Sequence, residues 1–354
     1  MIPTYKSVLG EEEIQACVES LRSGWLITGK QVAAFEEEFA AYVGAKYAIA
    51  TSACTTALQS VFLTGKPNSR ILTSPVTFTA TSNAIINSGH TVVWGDVDEW
   101  GNLLYTPQTV DCVVPIHFAG RRWEGDVTHP IIYDSAHAIF KDLVGLASCY
   151  SFHATKCMTT CQGGMITTND EDVAKRVRYI RIHGMDSDAF ARESSGPLFD
   201  VPEIGIKGNL IDPLAAIGRV QLKKYDEMQM ARTALACWYD TKLKVPGLDL
   251  APYQSDPQKH SWHLYLVKLH PQLAPFRDAI IFQCKKKGVQ LAVHGRPVYL
   301  FSGYKKRCGD LTGMCPNAED FGRRVMSLPL YPTMTQEDQD QVINVLGDVM
   351  KEYQ

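Results

Sequence analysis

Lys156 closes the stretch Tyr150-Ser151-Phe152-His153-Ala154-Thr155-Lys156, where an apolar run of strand length turns polar ahead of Gly163-Gly164. A lysine at the end of a buried strand is costly unless it is paired or chemically used, and a Schiff base with an aldehyde removes much of that cost. Asp134 ends a second apolar run, Ile132-Tyr133-Asp134-Ser135-Ala136-His137. A carboxylate there stands where ligands bind in open α/β sheets; it caps a helix, or it holds a proton on a heterocycle nitrogen. In Thr51-Ser52-Ala53-Cys54-Thr55-Thr56-Ala57-Leu58, small and hydroxylated residues lie between a strand and a helix. The outward N–H groups of such a helix start form an anion site, although the same residues also read as a plain N-cap. Singly, each stretch has an ordinary structural reading. Together they offer a lysine for an aldehyde, a carboxylate for a ring nitrogen and a helix start for a phosphate, the three contacts that pyridoxal 5′-phosphate needs.

The elements around them follow from the hydrophobic pattern. Strands are predicted at 47–50, 70–73, 91–94, 112–116, 130–133, 147–151 and 165–168, alternating with segments of helical period. Runs apolar on both faces suit a buried, mostly parallel sheet flanked by helices. Helices are predicted at 11–23, 31–43, 171–183 and 212–230, and a loop with Gly and Pro at 187–208. After Arg232 the pattern changes: strands at 263–267 and 289–293, with helices at 275–287 and 336–351, predict a smaller α+β unit. The fold class expected is therefore α/β, with a large domain over 1–230 carrying an N-terminal arm and a C-terminal α+β domain over 231–354.

The composition excludes several function classes. At 354 residues, 45% hydrophobic and 21% charged, the chain suits a globular protein with a sizeable core. Lys+Arg of 35 against Asp+Glu of 38 gives a net charge of −3, no field for nucleic acid or an anionic membrane. The start lacks a basic region followed by an apolar one, and no stretch is long and apolar enough for a membrane helix, so a cytoplasmic protein is expected. Ten scattered cysteines without a CxxC predict reduced thiols. Cys157/Cys161 and Cys308/Cys315 lack zinc-ligand spacing, and no metal is expected. Gly24-Trp25-Leu26-Ile27-Thr28-Gly29-Lys30 imitates a P-loop, but Gln31 follows where Ser or Thr is required. No GxGxxG follows a predicted strand.

The order of the motifs SGWLITGKQVAAFEEEFA, TSACTTAL, TSPVTFTATSNAI, VVPIHFAG, YDSAHA, SFHATK with GGM, GNLIDPLAAIGRVQL and SLPLYPTMT resembles the PLP-dependent nucleotide-sugar aminotransferases. These are a fold-type I, aspartate-aminotransferase-like family that includes the UDP-4-amino-4-deoxy-arabinose and perosamine synthases. The resemblance spans nearly the whole chain. It implies that Lys156 is the Schiff-base lysine and Asp134 the partner of the pyridinium nitrogen. Phe78 would stack on the cofactor ring, Ala136 would pack on the opposite face and His137 would approach the phenolic oxygen. Ser151 with Cys54, Thr55 and Thr56 would hold the phosphate. Asn209 or Lys207 would reach that phosphate from the partner subunit, implying a homodimer with shared active sites. Cys54 stands where the family often has Gly or Ala, and Gln162 replaces the usual Glu before the Gly pair.

The implied reaction moves an amino group, with glutamate the family's usual donor, onto a keto-sugar nucleotide. Its diphosphate must meet local cations, for which Lys30, His294 and Arg296 are the candidates. A dehydratase or isomerase of the same fold is the rival enzyme; those dehydratases carry a histidine at the lysine position, and Lys156 argues against them. A non-catalytic regulatory homologue is the other rival, opposed by the intact Lys156/Asp134 pair.

Overall fold

Strands that are buried on both faces assemble here into one sheet with most of its strands parallel. The computed structural model describes residues 1–106, 109–143 and 145–353. Strands β1 (Tyr47–Thr51), β2 (Arg70–Thr73), β3 (Thr91–Trp94), β4 (Cys112–Val114), β5 (Ile132–Ser135), β6 (Ala147–Ser151) and β7 (Gly164–Thr168) build it. β3, β2 and β4 are parallel neighbours, as are β5 and β6, while β7 runs antiparallel between β6 and β1. Single parallel bridges, Val113 to Ile131 and Ile116 to Asp134, join β4 to β5. The order is β3-β2-β4-β5-β6-β7-β1. Every residue of β4, β5 and β7 is buried, as the continuous apolar runs require.

Helices α1 (Glu11–Arg22) and α2 (Lys30–Val43) precede the sheet, and α3 (Cys54–Leu63) and α4 (Thr79–Asn87) form the crossovers after β1 and β2. The expected alternation then stops. Between β3 and β4, and between β4 and β5, no α-helix occurs among the described residues; the chain makes only a 3₁₀ turn at Phe118–Gly120. Left-handed backbone at Ala119 (φ 58°) and Gly120 (φ 99°) ends that turn. Side chains take the place of a helix layer: Leu72, Leu103, Val110, Val113, Trp123 and Tyr133 form one buried cluster.

α5 (Glu171–Ile180) stops short of the expected 183, where His183 has φ 69°. The expected loop contains a short helix, α6 (Ala189–Ser195). α7 (Asp212–Lys242) runs a dozen residues past its expected end. It passes between two cores: Leu222, Tyr225 and Met228 pack with Phe35, Phe39 and Phe152, whereas Leu235, Ala236 and Tyr239 pack with Tyr265, Met326 and Leu346. Asp212, at the start of α7, caps α2 across the chain, its carboxylate accepting from the N–H groups of Gly29 (2.7 Å), Gln31 (3.1 Å) and Val32 (3.3 Å).

The C-terminal part holds an antiparallel sheet of β8 (Leu248–Leu250), β9 (Tyr265–Leu269) and β10 (Val325–Leu328), ordered β10-β9-β8. α8 (Arg277–Lys286), α9 (Ser302–Cys308), α10 (Pro316–Arg324) and α11 (Gln336–Lys351) accompany it. The strand expected at 289–293 is reduced to single bridges from Val289 to Ile2 and from Ala292 to Ser327. Val298, Tyr299, Tyr304 and Phe321 pack against Trp94 of β3, Val76 beyond β2 and Phe118 of the 3₁₀ turn.

Candidate active site

Asp134 lies inside β5, one position before its end, and is 4% exposed. Backbone bonds fix its register: its N–H donates to Pro115 O (3.0 Å) and its C=O accepts from His117 N–H (3.1 Å). Each carboxylate oxygen accepts one hydrogen bond and keeps further acceptor capacity. Oδ2 accepts from Thr81 Oγ1 at 2.7 Å, Oδ1 accepts from Ala136 N–H at 3.0 Å, and the Cys54 thiol lies 4.0 Å from Oδ1. Thr81 Oγ1 is 2.7 Å from Thr77 Oγ1. Since Thr81 spends its proton on the carboxylate, Thr77 donates to Thr81. Burial pushes the Asp134 carboxyl above its ordinary range, opposed by the Thr81 and Ala136 bonds and by the charge of Lys156.

Lys156 follows β6 in a turn and is half-buried. Burial lowers its ammonium below the usual range, opposed by the negative charge of Asp134 and by Cys54 and Cys157. A lysine that sheds its proton readily is one suited to covalent and base chemistry.

Imidazoles surround this pair. His137 Nδ1 accepts from Ala119 N–H at 3.1 Å, which assigns the ring proton to Nε2. Its ring centroid is 4.4 Å from that of His263. His294 Nδ1 is 2.7 Å from Ser327 Oγ on β10. Burial drives His137 and His263 well below the ordinary histidine value, and the field of Lys156 adds to it. His294 is pushed down to about 4 by the same causes. All three are neutral at neutral pH. In the unliganded chain His294 is held toward its neutral form and offers a hydrogen bond rather than a standing positive charge.

The start of α3 has Ala53 at its cap position with no side-chain cap, and its first helical bond runs from Ala57 N–H to Ala53 O. The N–H groups of Cys54, Thr55 and Thr56 therefore have no acceptor inside the helix. Gly164 makes the close approach possible, because a Cβ there would lie 2.5 Å from Ala53 C and 2.6 Å from Cys54 N. The Cys54 side chain faces away from this start, toward Cys149 O (3.5 Å) and Asp134, and burial holds its thiol protonated. Thr56 Oγ1 is 3.3 Å from Ser52 Oγ, and Ser151 Oγ accepts from His153 N–H at 3.4 Å. Phe78, at the cap of α4, is 75% exposed, a bare ring beside the buried Thr77–Thr81–Asp134 relay.

Segment 207–209 bonds to this chain's own β1 end, with Ser52 N–H donating to Gly208 O at 2.7 Å and a bridge between Thr51 and Asn209. Asn209 Nδ2 donates to Thr28 Oγ1 (2.9 Å), while its Oδ1 is buried without a partner. The Lys207 side chain is exposed. Lys30 is exposed at the start of α2. Arg296 stacks its guanidinium 4.8 Å from the Phe301 ring centroid and donates to Leu300 O at 3.4 Å. No hydrogen bond or ion pair joins Lys30 or Arg296 to the Lys156 cluster among the described residues. A cavity of about 380 Å³ lined by Arg121, Arg122, Tyr253, Lys259 and His260 lies apart; neither Lys156 nor Asp134 lines it.

These residues fit pyridoxal phosphate: an amine of lowered basicity, a buried carboxylate, an uncapped helix start and an uncovered aromatic ring. Sequence reasoning missed Thr77, Thr81, His263 and Ser327. The only signal for the threonines was the four-residue spacing in Thr77-Phe78-Thr79-Ala80-Thr81.

Residues 7–347 match the model of the DegT/DnrJ/EryC1/StrS aminotransferase family. The spore coat polysaccharide biosynthesis protein SpsC of Bacillus subtilis is 38% identical over 385 residues, covering 99% of this chain and 97% of SpsC. Among solved structures, Helicobacter pylori PseC, an aminotransferase involved in the biosynthesis of pseudoaminic acid, superposes with a TM-score of 0.88 at 26% identity, covering 99% of each chain. The sugar aminotransferase Spr1654 of Streptococcus pneumoniae in its PMP form shares the fold, with a TM-score of 0.91 at 24% identity and full coverage of both chains. The chain belongs to the DegT/DnrJ/EryC1/StrS aminotransferases, fold-type I enzymes that use pyridoxal phosphate to aminate sugars.

Proposed function

We propose that this chain moves an amino group from glutamate onto a keto-sugar nucleotide, with Lys156 and Asp134 as its catalytic residues. The observation that carries the reading is the pair itself: a half-buried lysine and a 4%-exposed carboxylate, each in the other's field, at the carboxyl ends of β6 and β5. Bound pyridoxal phosphate supplies an electron sink for the carbanion formed at the donor's Cα. Lys156 Nζ would hold the cofactor's aldehyde, and its lowered basicity would suit it, as a free amine, to carry the proton from the donor's Cα. Asp134, pinned by Thr81 and Ala136 N–H, keeps the ring nitrogen protonated. His137, neutral, offers its Nε2–H to the phenolic oxygen. The N–H groups of Cys54, Thr55 and Thr56, with Ser151, hold the phosphate, and Phe78 and Ala136 enclose the ring.

The homodimer belongs to the same proposal. Leu26, Ile27, Leu198, Ile204 and Ile211 are exposed in the segments flanking Lys207 and Asn209, with Leu198 and Ile204 each at 89%. Exposed apolar side chains of that size support a protein contact. Lys207 is the better candidate to reach the partner's phosphate, because the Asn209 amide is already given to Thr28. Lys30, Arg296 and the neutral His294 are assigned to the sugar nucleotide. We further assign the division of the chain to α7 near residue 230, where its packing passes from one core to the other, and the working compartment to the cytoplasm.

Borohydride reduction followed by peptide mapping tests the reading. The pyridoxyl label should fall on Lys156, and Asp134→Asn should cut turnover by about 10²–10³-fold while the fold survives. Label on another lysine, or near-normal turnover in Asp134→Asn, refutes it. For the shared site, a Lys156→Ala protein and one lacking both Lys207 and Asn209 side chains, each inactive alone, should regain activity on subunit exchange.

A further inference from the structure

The turn that carries Lys156, residues 153–161, is held by groups from distant parts of the chain. Ser7 Oγ donates to Ala154 O at 2.6 Å, Gln221 Oε1 accepts from Thr159 N–H at 3.3 Å, and Arg232 Nη2 donates to Cys157 O at 2.8 Å. Within the turn, Thr159 Oγ1 donates to Phe152 O at 3.1 Å and accepts from Cys161 N–H at 2.8 Å.

Arg232 is the costly member of this set. It is 6% exposed, and its other contact is Met228 O, one turn back along α7, at 3.4 Å. Both acceptors are carbonyls; it forms no ion pair among the described residues. A buried cation without a counter-charge is strongly unfavourable, and an apolar side chain of similar volume would fill the same space at lower cost. Packing alone therefore does not account for an arginine at this place. Beyond the long bond to Met228 O within its own helix, what the guanidinium adds is a short charge-assisted bond to the residue that follows Lys156. Its position on α7 also matters, because it lies between Met228 in one core and Leu235 in the other. The charge reaches the site as well, contributing to the lowered basicity of His263.

We propose that Arg232 is a positioning residue for Lys156: by fixing the Cys157 carbonyl it fixes the direction in which the Lys156 side chain leaves its turn. The proposal rests on the reading of Lys156 as the covalent residue.

Hydrogen exchange on the full chain, with and without pyridoxal phosphate, compares the wild type with Arg232→Met and Arg232→Lys. In Arg232→Met, exchange across 153–161 should accelerate about ten- to a hundredfold, with peptides from β9 and α11 unchanged. kcat should fall by a similar factor in both half-reactions, with the KM for glutamate nearly constant, since no binding group is removed. Arg232→Lys, which restores a cation and a donor, should recover part of both effects, and it decides the matter alone if the Met variant does not fold. Unchanged exchange at 153–161, protection lost equally in β9 and α11, or an effect on KM alone overturns the proposal. Failure of borohydride to label Lys156 in the wild type overturns the reading of Lys156 instead, and leaves the exchange pattern untouched, so the two failures are distinguishable.

Discussion

Thr81→Val is the cleanest way to ask whether the Asp134 carboxylate is ionised and held by a hydroxyl. The substitution keeps the branched shape of a side chain that is 0% exposed and deletes only the donor to Asp134 Oδ2. A hydrogen bond to a charged group contributes about 1.5–3 kcal/mol, one between neutral groups about 0.5–1.5 kcal/mol. The cost of the variant should therefore depend on the protonation of Asp134. Because burial raises the folded-state value above 3.8, the folded apo protein binds this proton more tightly than the unfolded chain. Stability attributable to Asp134 then falls as pH rises from 3.8 through the folded value. Losing the Thr81 donor deepens that fall. Urea unfolding of the apo proteins should show Thr81→Val weaker than wild type by about 1.5–3 kcal/mol well above that window and by about 0.5–1.5 kcal/mol below it. The acceptor lost by the Thr77 hydroxyl costs the same at every pH and cancels in the comparison. In an Asp134→Asn background the pH dependence should vanish. A cost independent of pH in the Asp134 background would refute the charged, hydroxyl-held carboxylate.

Three further outcomes are expected. Glu36, buried in α2, accepts from Ala50 N–H at 2.8 Å and pairs with Arg178 and with the 4%-exposed Arg181; Glu36→Gln should cost about 3–5 kcal/mol by urea unfolding. Burial raises its pKa but the two arginines outweigh it, so its contribution is present above 4.5 and is lost as pH falls. Gly164→Ala, whose Cβ would press on the start of α3, should weaken cofactor binding at least about tenfold, read by fluorescence titration. Arg296→Ala should raise KM for the sugar nucleotide about tenfold and leave the glutamate half-reaction unchanged, because the donor has no diphosphate; slowing of both half-reactions equally would remove Arg296 from the substrate loop.

Lys156, Asp134 and the Cys54–Thr56 turn were legible because each sits where an apolar run meets a helix start or a polar turn, and those junctions can be read locally. Thr81 was not, since its meaning comes from a carboxylate 53 residues away. His263 was hidden by its own neighbours: the run His263 to Val267 reads as a strand, yet the strand begins at Tyr265. Trp262 adopts φ 46°, and Gly120 lets the backbone approach, since a Cβ there would lie 2.8 Å from His263 N. That bend, invisible in the hydrophobic period, turns His263 toward His137. The loss of the strand at 289–293 has a similar cause, because Val289 and Ala292 find different partners, Ile2 and Ser327.

Among the described residues no crossover α-helix follows β3 or β4, the largest departure from the expected pattern, and the packing around the site explains how the chain does without one. A helix in a parallel crossover covers the sheet and sets the spacing of the strands it joins. Here a buried apolar cluster supplies the cover. The register of β5 is set by backbone bonds from Asp134 to Pro115 and His117, which lie just beyond β4. The 3₁₀ turn that follows then takes on a task no crossover helix interior performs. Its Ala119 N–H, freed by the left-handed backbone, is the donor that settles the tautomer of His137. Among the described residues, helices remain where α3 leaves its first N–H groups uncapped and where α4 carries Phe78 at its cap and Thr81 in its first turn, and a short turn aims a single N–H at His137.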